Sequence, residues 1–196
     1  MKHTLLMLAL TASLASVAPL GSAAVQTFQA NLTGPTEAPA NTSPATGSGV
    51  VQIDDVAHTM KLDVLFSGLL GTTSAAHIHC CTAVPLTGTA GVATAVPSFP
   101  GFPLGVNGGV YNATFDLLAA GSYSPAFLAA HGGAPAAAEA ALLDGMAMQE
   151  AYLNIHTTAF PGGEIRGFLS PVPEPGAWAM MLLGIAGIGF CRRLRA

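Results

Sequence analysis

Apolar and polar positions alternate along much of the chain, and the alternation predicts a series of short strands. Met60, Leu62, Val64 and Phe66 fall on one side of an extended segment, with Lys61 and Asp63 on the other. That is the period of a strand with one buried face. Tyr111, Ala113, Phe115 and Leu117 alternate in the same way against Asn112, Thr114 and Asp116. Further strands are predicted over residues 25–33, 49–54, 73–80, 150–157 and 164–169. Between them lie turn residues: Gly34-Pro35, the stretch 55–58, Ser67-Gly68 and Gly162-Gly163. One region changes period. Phe127 and Leu128, then the alanine-rich stretch 136–148, predict one or two short helices separated by Gly132-Gly133. Residues 82–109 have no period and hardly any charge, which makes a loop of unusual length, and such loops are often functional or mobile. The pattern implies an all-β domain, an antiparallel sandwich or barrel with a short helical insert.

The two ends depart from this pattern. Residues 1–24 read as a signal peptide. Lys2 is the short positive region, residues 5–14 are apolar apart from Thr11 and Ser13, and Ser22-Ala23-Ala24 supplies small residues for cleavage. The alternative is a buried N-terminal helix, which leaves the small-residue end unexplained. Residues 172–196 form a second targeting segment. Pro173-Glu174-Pro175 interrupts regular structure. Residues 177–190 are uncharged and apolar, predicting a short transmembrane helix, and Arg192, Arg193 and Arg195 act as the membrane stop on the cytoplasmic side. The span is short of the usual ~20 residues, so the snorkelling arginines help it across. This tail resembles the PEP-CTERM sorting signal of Gram-negative, exopolysaccharide-producing bacteria. The resemblance implies Sec-type export, then removal of the tail by a membrane-embedded exosortase, and a location at the cell surface, in the matrix or secreted. An ordinary membrane anchor is the alternative, and both place residues 25–171 outside the cytoplasm.

Composition narrows the function. The chain is 51% hydrophobic and 8% charged, too apolar for a disordered protein. Residues 25–171 hold two basic side chains, Lys61 and Arg166, against nine acidic ones, a balance of −7. A nucleic-acid partner needs lysines and arginines to displace phosphate counterions, so it is excluded. The three cysteines are Cys80, Cys81 and Cys191, and an adjacent pair cannot staple distant elements, so stability must come from a core. Cys80 and Cys81 are compatible with a vicinal disulfide, free thiols or metal binding. No nucleophile elbow, phosphate loop or dinucleotide fingerprint occurs, and no catalytic residue is assigned.

Two clusters carry candidate chemistry. In Ala76-His77-Ile78-His79, the two histidines are two apart on a strand and share one face. In Tyr152-Leu153-Asn154-Ile155-His156, the third histidine shares a face with Tyr152 and Asn154. Strand pairing that brought His156 beside His77 and His79 would give three imidazoles, a set suited to copper or zinc, with Tyr152 or a Cys80 thiolate as a fourth ligand. The competing reading is structural: buried histidines hydrogen-bonded across strands, with contacts between Glu164 and Arg166 holding the last hairpin. Exposed neighbours of that kind contribute little. His58 and His131 read as solvated loop residues.

Asn31-Leu32-Thr33-Gly34 with Glu37 and Pro39, then Phe66-Ser67-Gly68-Leu69 with Ala75-Ala76-His77-Ile78-His79, then residues 152–167 together resemble a CHRD domain. This module is named after chordin and also occurs alone in bacteria and archaea. The resemblance implies a Greek-key β-sandwich, immunoglobulin-like or superoxide-dismutase-like, but no settled reaction. The chain departs from the family pattern at Cys80-Cys81 and the long loop that follows. Superoxide-dismutase chemistry is disfavoured, because no further histidine-rich loop follows. The sequence thus reads as an exported, non-enzymatic binding or structural protein of the envelope or exopolysaccharide matrix. The alternative is an extracytoplasmic copper- or zinc-binding protein using His77, His79 and His156.

Overall fold

The computed structural model describes residues 25–173. The residues read as a signal peptide lie outside it, as do Glu174, Pro175, the apolar tail and Arg192, Arg193 and Arg195. Among the described residues no helix is long and apolar enough to cross a membrane.

The strands are β1 (Gln26–Thr33), β2 (Thr46–Asp54), β3 (Thr59–Ser67), β4 (Thr73–His79), β5 (Gly109–Asp116), β6 (Tyr152–Thr157), β7 (Ile165–Phe168) and β8 (Ser170–Pro171). Helices α1 (Pro125–Ala130) and α2 (Pro135–Ala147) lie between β5 and β6. All pairings are antiparallel, in the order β4-β6-β7-β1-β2-β3-β5, with β8 beside β1. The fold is therefore mostly β, a curled antiparallel sheet with few helices. The expected strands are present, with ends that differ by a few residues. The largest difference is β2, which begins at Thr46 because Gly47 and Ser48 pair with Phe66 and Leu65 although they carry no apolar signal.

One face of each long strand turns inward. Phe28, Leu32, Val51, Ile53, Met60, Leu62, Phe66, Ile78, Leu153, Ile155 and Ile165 are all buried in a common core. Curling brings β2 against β6: a side chain added at Gly49 would place its Cβ 2.5 Å from Leu153 Cδ2. Glycine there permits the close approach. Helix α1 is capped by Ser124, whose Oγ accepts from Phe127 N at 3.1 Å. Helix α2 buries Ala138, Leu142 and Met146 on one stripe. Its Glu139 meets His58, whose Nδ1 lies 2.8 Å from Glu139 Oε2, so His58 is not the free loop residue the sequence suggested. His131 also has a partner, with Nδ1 2.8 Å from the Phe127 carbonyl.

The opposite face of β4, β6 and β7 is polar, yet it is buried as well. The segment after β4 runs along the free edge of β4, where Ala93 N donates to Ile78 O at 2.9 Å and Phe99 N to Ala76 O at 3.1 Å, and from there its carbonyls at Gly88, Ala90 and Pro97 reach the polar side chains. The long loop is thus seated against the sheet. Its Ala93, Phe99 and Phe102 side chains join the core, and Ser98 Oγ and Thr94 Oγ1 accept from Ala76 N and Ile78 N at 3.0 Å.

Glu164 and Arg166 are both buried, contrary to the exposed pair expected, and each has partners of its own. The Glu164 carboxylate is fully enclosed and accepts from Leu70 N (2.6 Å), Ser43 Oγ (2.7 Å), Thr157 Oγ1 (2.7 Å) and Gly71 N (3.2 Å). Burial alone would raise this carboxyl, but the four donors outweigh it and hold it below its ordinary value. The knot ties the β1–β2 loop, the β3–β4 turn and β6 together. A carboxylate with a lowered pKa stabilises the fold above the ordinary carboxylate range and loses that contribution as pH falls through its folded value. Glu164→Ala strands four donors and is expected to lower unfolding free energy by at least about 3 kcal/mol at pH 7, measured by urea denaturation. The difference from the native chain should shrink below pH 4.

Candidate metal centre

The register of β4 and β6 assembles the histidines. His77 lies opposite Asn154, His79 opposite Tyr152 and Ala75 opposite His156. Paired positions share a face, so all three imidazoles project from the polar side of the sheet. Their ring centroids are 5.3–5.8 Å apart, and one ring nitrogen of each lies within 4.8 Å of the others. Points so spaced lie within about 2.8 Å of a common centre, against the 2.0–2.1 Å of a Zn–N bond. His77 and His79 are buried and His156 is half-buried.

Each ring is held from behind by a backbone carbonyl. His77 Nε2 is 2.7 Å from Pro97 O, His79 Nδ1 is 2.9 Å from Ala90 O, and His156 Nδ1 is 3.0 Å from Pro161 O. A carbonyl only accepts, so each of these nitrogens carries the proton. The remaining nitrogens, His77 Nδ1, His79 Nε2 and His156 Nε2, then bear lone pairs, and all three are buried without a partner. Desolvation by burial lowers the pKa of His77 and His156, and that of His79 to about 4. The three rings are therefore neutral at pH 7, the form that binds metals.

The fourth ligands considered from sequence are engaged elsewhere. Cys80 is joined to Cys81 in a vicinal disulfide, and its side chain belongs to the core. Tyr152 stacks on His79 at 4.9 Å, and its hydroxyl meets Ala90, donating to the carbonyl at 3.3 Å or accepting from the amide at 3.2 Å. The Arg166 guanidinium also lies over the Tyr152 ring, 4.6 Å from its centroid. It donates from Nε to Thr36 O at 2.5 Å and from Nη1 to Gly88 O at 2.9 Å, and its Nε is 3.7 Å from Glu37 Oε2.

Sequence reasoning missed the carbonyls of Ala90, Pro97 and Pro161, which no side-chain pattern marks, and it missed Glu37. A signal for Glu37 existed. It is the lone acid in a Pro/Ala/Thr loop, and Arg166 is one of only two basic residues between 25 and 171.

A model of the CHRD domain family matches residues 28–169, and a model of the PEP-CTERM protein-sorting motif matches residues 171–196. The second implies export, cell-surface sorting and processing by an exosortase-type system. No curated protein and no solved structure matches the chain.

The lowered histidine values set an acid limit for the metal-free protein. A histidine with a depressed folded pKa is neutral in the fold while the unfolded chain takes up protons, so stability is full above about 6.5 and falls as pH drops toward the folded value. Chelator-treated protein should lose stability steadily from pH 6.5 to about 4, read as a falling urea midpoint. A midpoint that stays flat over that window would refute neutral, desolvated imidazoles.

Proposed function

Because the chain belongs to the CHRD-domain family and carries a PEP-CTERM sorting motif, we propose that it is an exported protein that binds one copper or zinc ion through His77, His79 and His156. The observation that carries this reading is the set of three buried, unpartnered nitrogens turned out by carbonyl-anchored rings. A structural role for the histidines would leave each of those nitrogens without a hydrogen bond, at a cost of about 1–3 kcal/mol apiece. A metal ion satisfies all three at once. The anchoring of each ligand by a second hydrogen bond is how histidine ligands are fixed in tautomer and direction. An all-nitrogen set selects copper or zinc over magnesium and calcium, which prefer oxygen.

The role is one of binding, in keeping with a non-enzymatic protein of the cell envelope or exopolysaccharide matrix. In this reading residues 1–24 are removed on Sec-type export. The domain spans residues 25–171, and residues 172–196 hold the chain transiently in the membrane until the exosortase acts. The Greek-key β-sandwich remains our reading of the curl, with β4-β6-β7 facing β2-β3-β5 across the core.

The full-length protein, purified in mild detergent without added metal, is expected to hold one copper or zinc per chain by elemental analysis. His77→Ala and His156→Ala should each lose it, while His131→Ala keeps it. Metal-free native protein that gains no thermal stability from added copper or zinc would sink the reading. For the tail, Glu174→Ala in an exosortase-bearing host is expected to leave an unprocessed chain in the membrane fraction, visible as a larger mass.

A further inference from the structure

The three histidines form an enclosed, three-sided site. Their lone-pair nitrogens, His77 Nδ1, His79 Nε2 and His156 Nε2, are all buried and lie within 4.8 Å of one another. A water molecule between them would satisfy two at most, because it has two hydrogens to donate. A cation offers each lone pair a bond, and the half-buried His156 marks the side nearest solvent. The groups that could add a fourth ligand are committed elsewhere. Cys80 is in the disulfide with Cys81, the Tyr152 hydroxyl is bonded at Ala90, and among the described residues no acid or thiol joins the histidines as a candidate ligand. The site also lacks negative charge. The carbonyls of Pro97, Ala90 and Pro161 fix the rings as neutral imidazoles. A positive charge stands beside it: the Arg166 guanidinium lies over the Tyr152 ring, and that ring stacks on His79. Glu37 offsets this charge only in part at neutral pH, because burial raises its carboxyl to about 7.

We propose that this site holds copper as the monovalent ion, Cu(I), in preference to Zn(II) or Cu(II). The proposal rests on the metal reading given above and narrows it to one ion in one oxidation state. Coordination number favours Cu(I). Zinc completes a tetrahedron, and where three histidines bind it a water supplies the fourth position. Cu(II) takes a tetragonal set of nitrogen and oxygen ligands. Cu(I) has a filled d shell and is stable with two or three ligands, so the three imidazoles suffice. Charge favours it as well. Neutral ligands leave the complex with the full charge of the ion. The cost of burying charge rises with its square, so a divalent ion costs about four times as much as a monovalent one of equal size. A divalent ion would also meet twice the repulsion from Arg166. An anionic ligand would offset both costs, and the cluster contains none. The ion is bound in the state in which it arrives, so no electron transfer is involved.

The test uses the full-length chain with Cys191→Ser, which takes the third cysteine out of competition, in mild detergent at pH 7. Cu(I) affinity is read without oxygen, in ascorbate, by competition with a chromogenic Cu(I) chelator. Zn(II) and Cu(II) are titrated against their own indicators with ascorbate left out. One Cu(I) per chain is expected, bound at least about tenfold more tightly than Zn(II) or Cu(II). Silver(I), with the same charge and a filled d shell, should raise the thermal midpoint as Cu(I) does. His156→Ala should lose Cu(I) binding. If that variant fails to fold, X-ray absorption of the loaded chain decides, with three nitrogens at about 2.0 Å and no fourth ligand expected. Tighter binding of Zn(II) or Cu(II), a midpoint that silver leaves unmoved, or a fourth ligand in the absorption spectrum overturns the proposal and leaves the metal reading standing. Cu(I) binding that survives His156→Ala, or no binding of any of these ions, overturns both.

Discussion

The structure depends on one constraint: a sheet buried on both faces must satisfy the polar groups on its second face without help from bulk water. The inner face of β4, β6 and β7 is apolar and sits in the core. The outer face carries His77, His79, His156, Asn154, Tyr152 and Arg166, which an exposed sheet would simply solvate. Here the segment after β4 reaches them from the free edge of β4, and its carbonyls at Gly88, Ala90 and Pro97 become acceptors for Arg166, His79 and His77. The loop's Thr94 and Ser98 hydroxyls are taken up by the edge of β4. Toward the histidines it presents backbone, and backbone carbonyls can only accept. A loop of that kind fixes the protonated edge of each imidazole and leaves the opposite edge bare. The three free nitrogens follow from how this face is covered.

The same constraint governs Arg166. A buried guanidinium is costly unless its donors and charge are matched. Two carbonyls take its N–H groups, Glu37 sets a carboxyl against its charge, and the Tyr152 ring lies beneath its plane. Tyr152 in turn stacks on His79. His79, Tyr152 and Arg166 thus form a layered stack on one side of the histidine cluster. Movement of any layer would cost contacts in the next. The pKa of His79 is lowered to about 4, because burial is joined by repulsion from His156, His77 and Arg166.

Much of this was legible in the sequence, for a physical reason. Strand alternation follows from the two faces of a pleat, so Met60 to Phe66 and Tyr111 to Leu117 announced β3 and β5 without help from tertiary context. His77 and His79 had to share a face once their segment was a strand. That His156 would join them needed only β4 and β6 to be neighbours, which the sequence could raise but not decide. The illegible part was set by chain segments without pattern. Residues 82–108 contribute through their path, and the choice between Nδ1 and Nε2 depends on where a distant carbonyl lands. The expectation for Glu164 and Arg166 failed for a related reason. Spacing put them on one face, and only the covering segments made that face an interior, where each required partners of its own.

The distribution of charge separates two tasks in the proposed metal site. The three imidazoles are neutral, and the Arg166 guanidinium beside them faces the Glu37 carboxyl. Short-range selection therefore rests on ligand type, nitrogen against oxygen, and not on local charge. The domain's balance of −7 arises elsewhere, with Asp54, Asp55, Asp63 and Asp116 at the ends and outer face of β2, β3 and β5. Such a field raises the concentration of any cation near the surface without distinguishing one from another, and salt screens it beyond about 10 Å. A carboxylate placed inside the histidine cluster would hold cations more strongly, but it would admit calcium and magnesium. Keeping carboxylates out of the histidine cluster leaves discrimination to the coordination chemistry. That division is open only to a fold in which a polar face can be buried, which returns the argument to the covering loop.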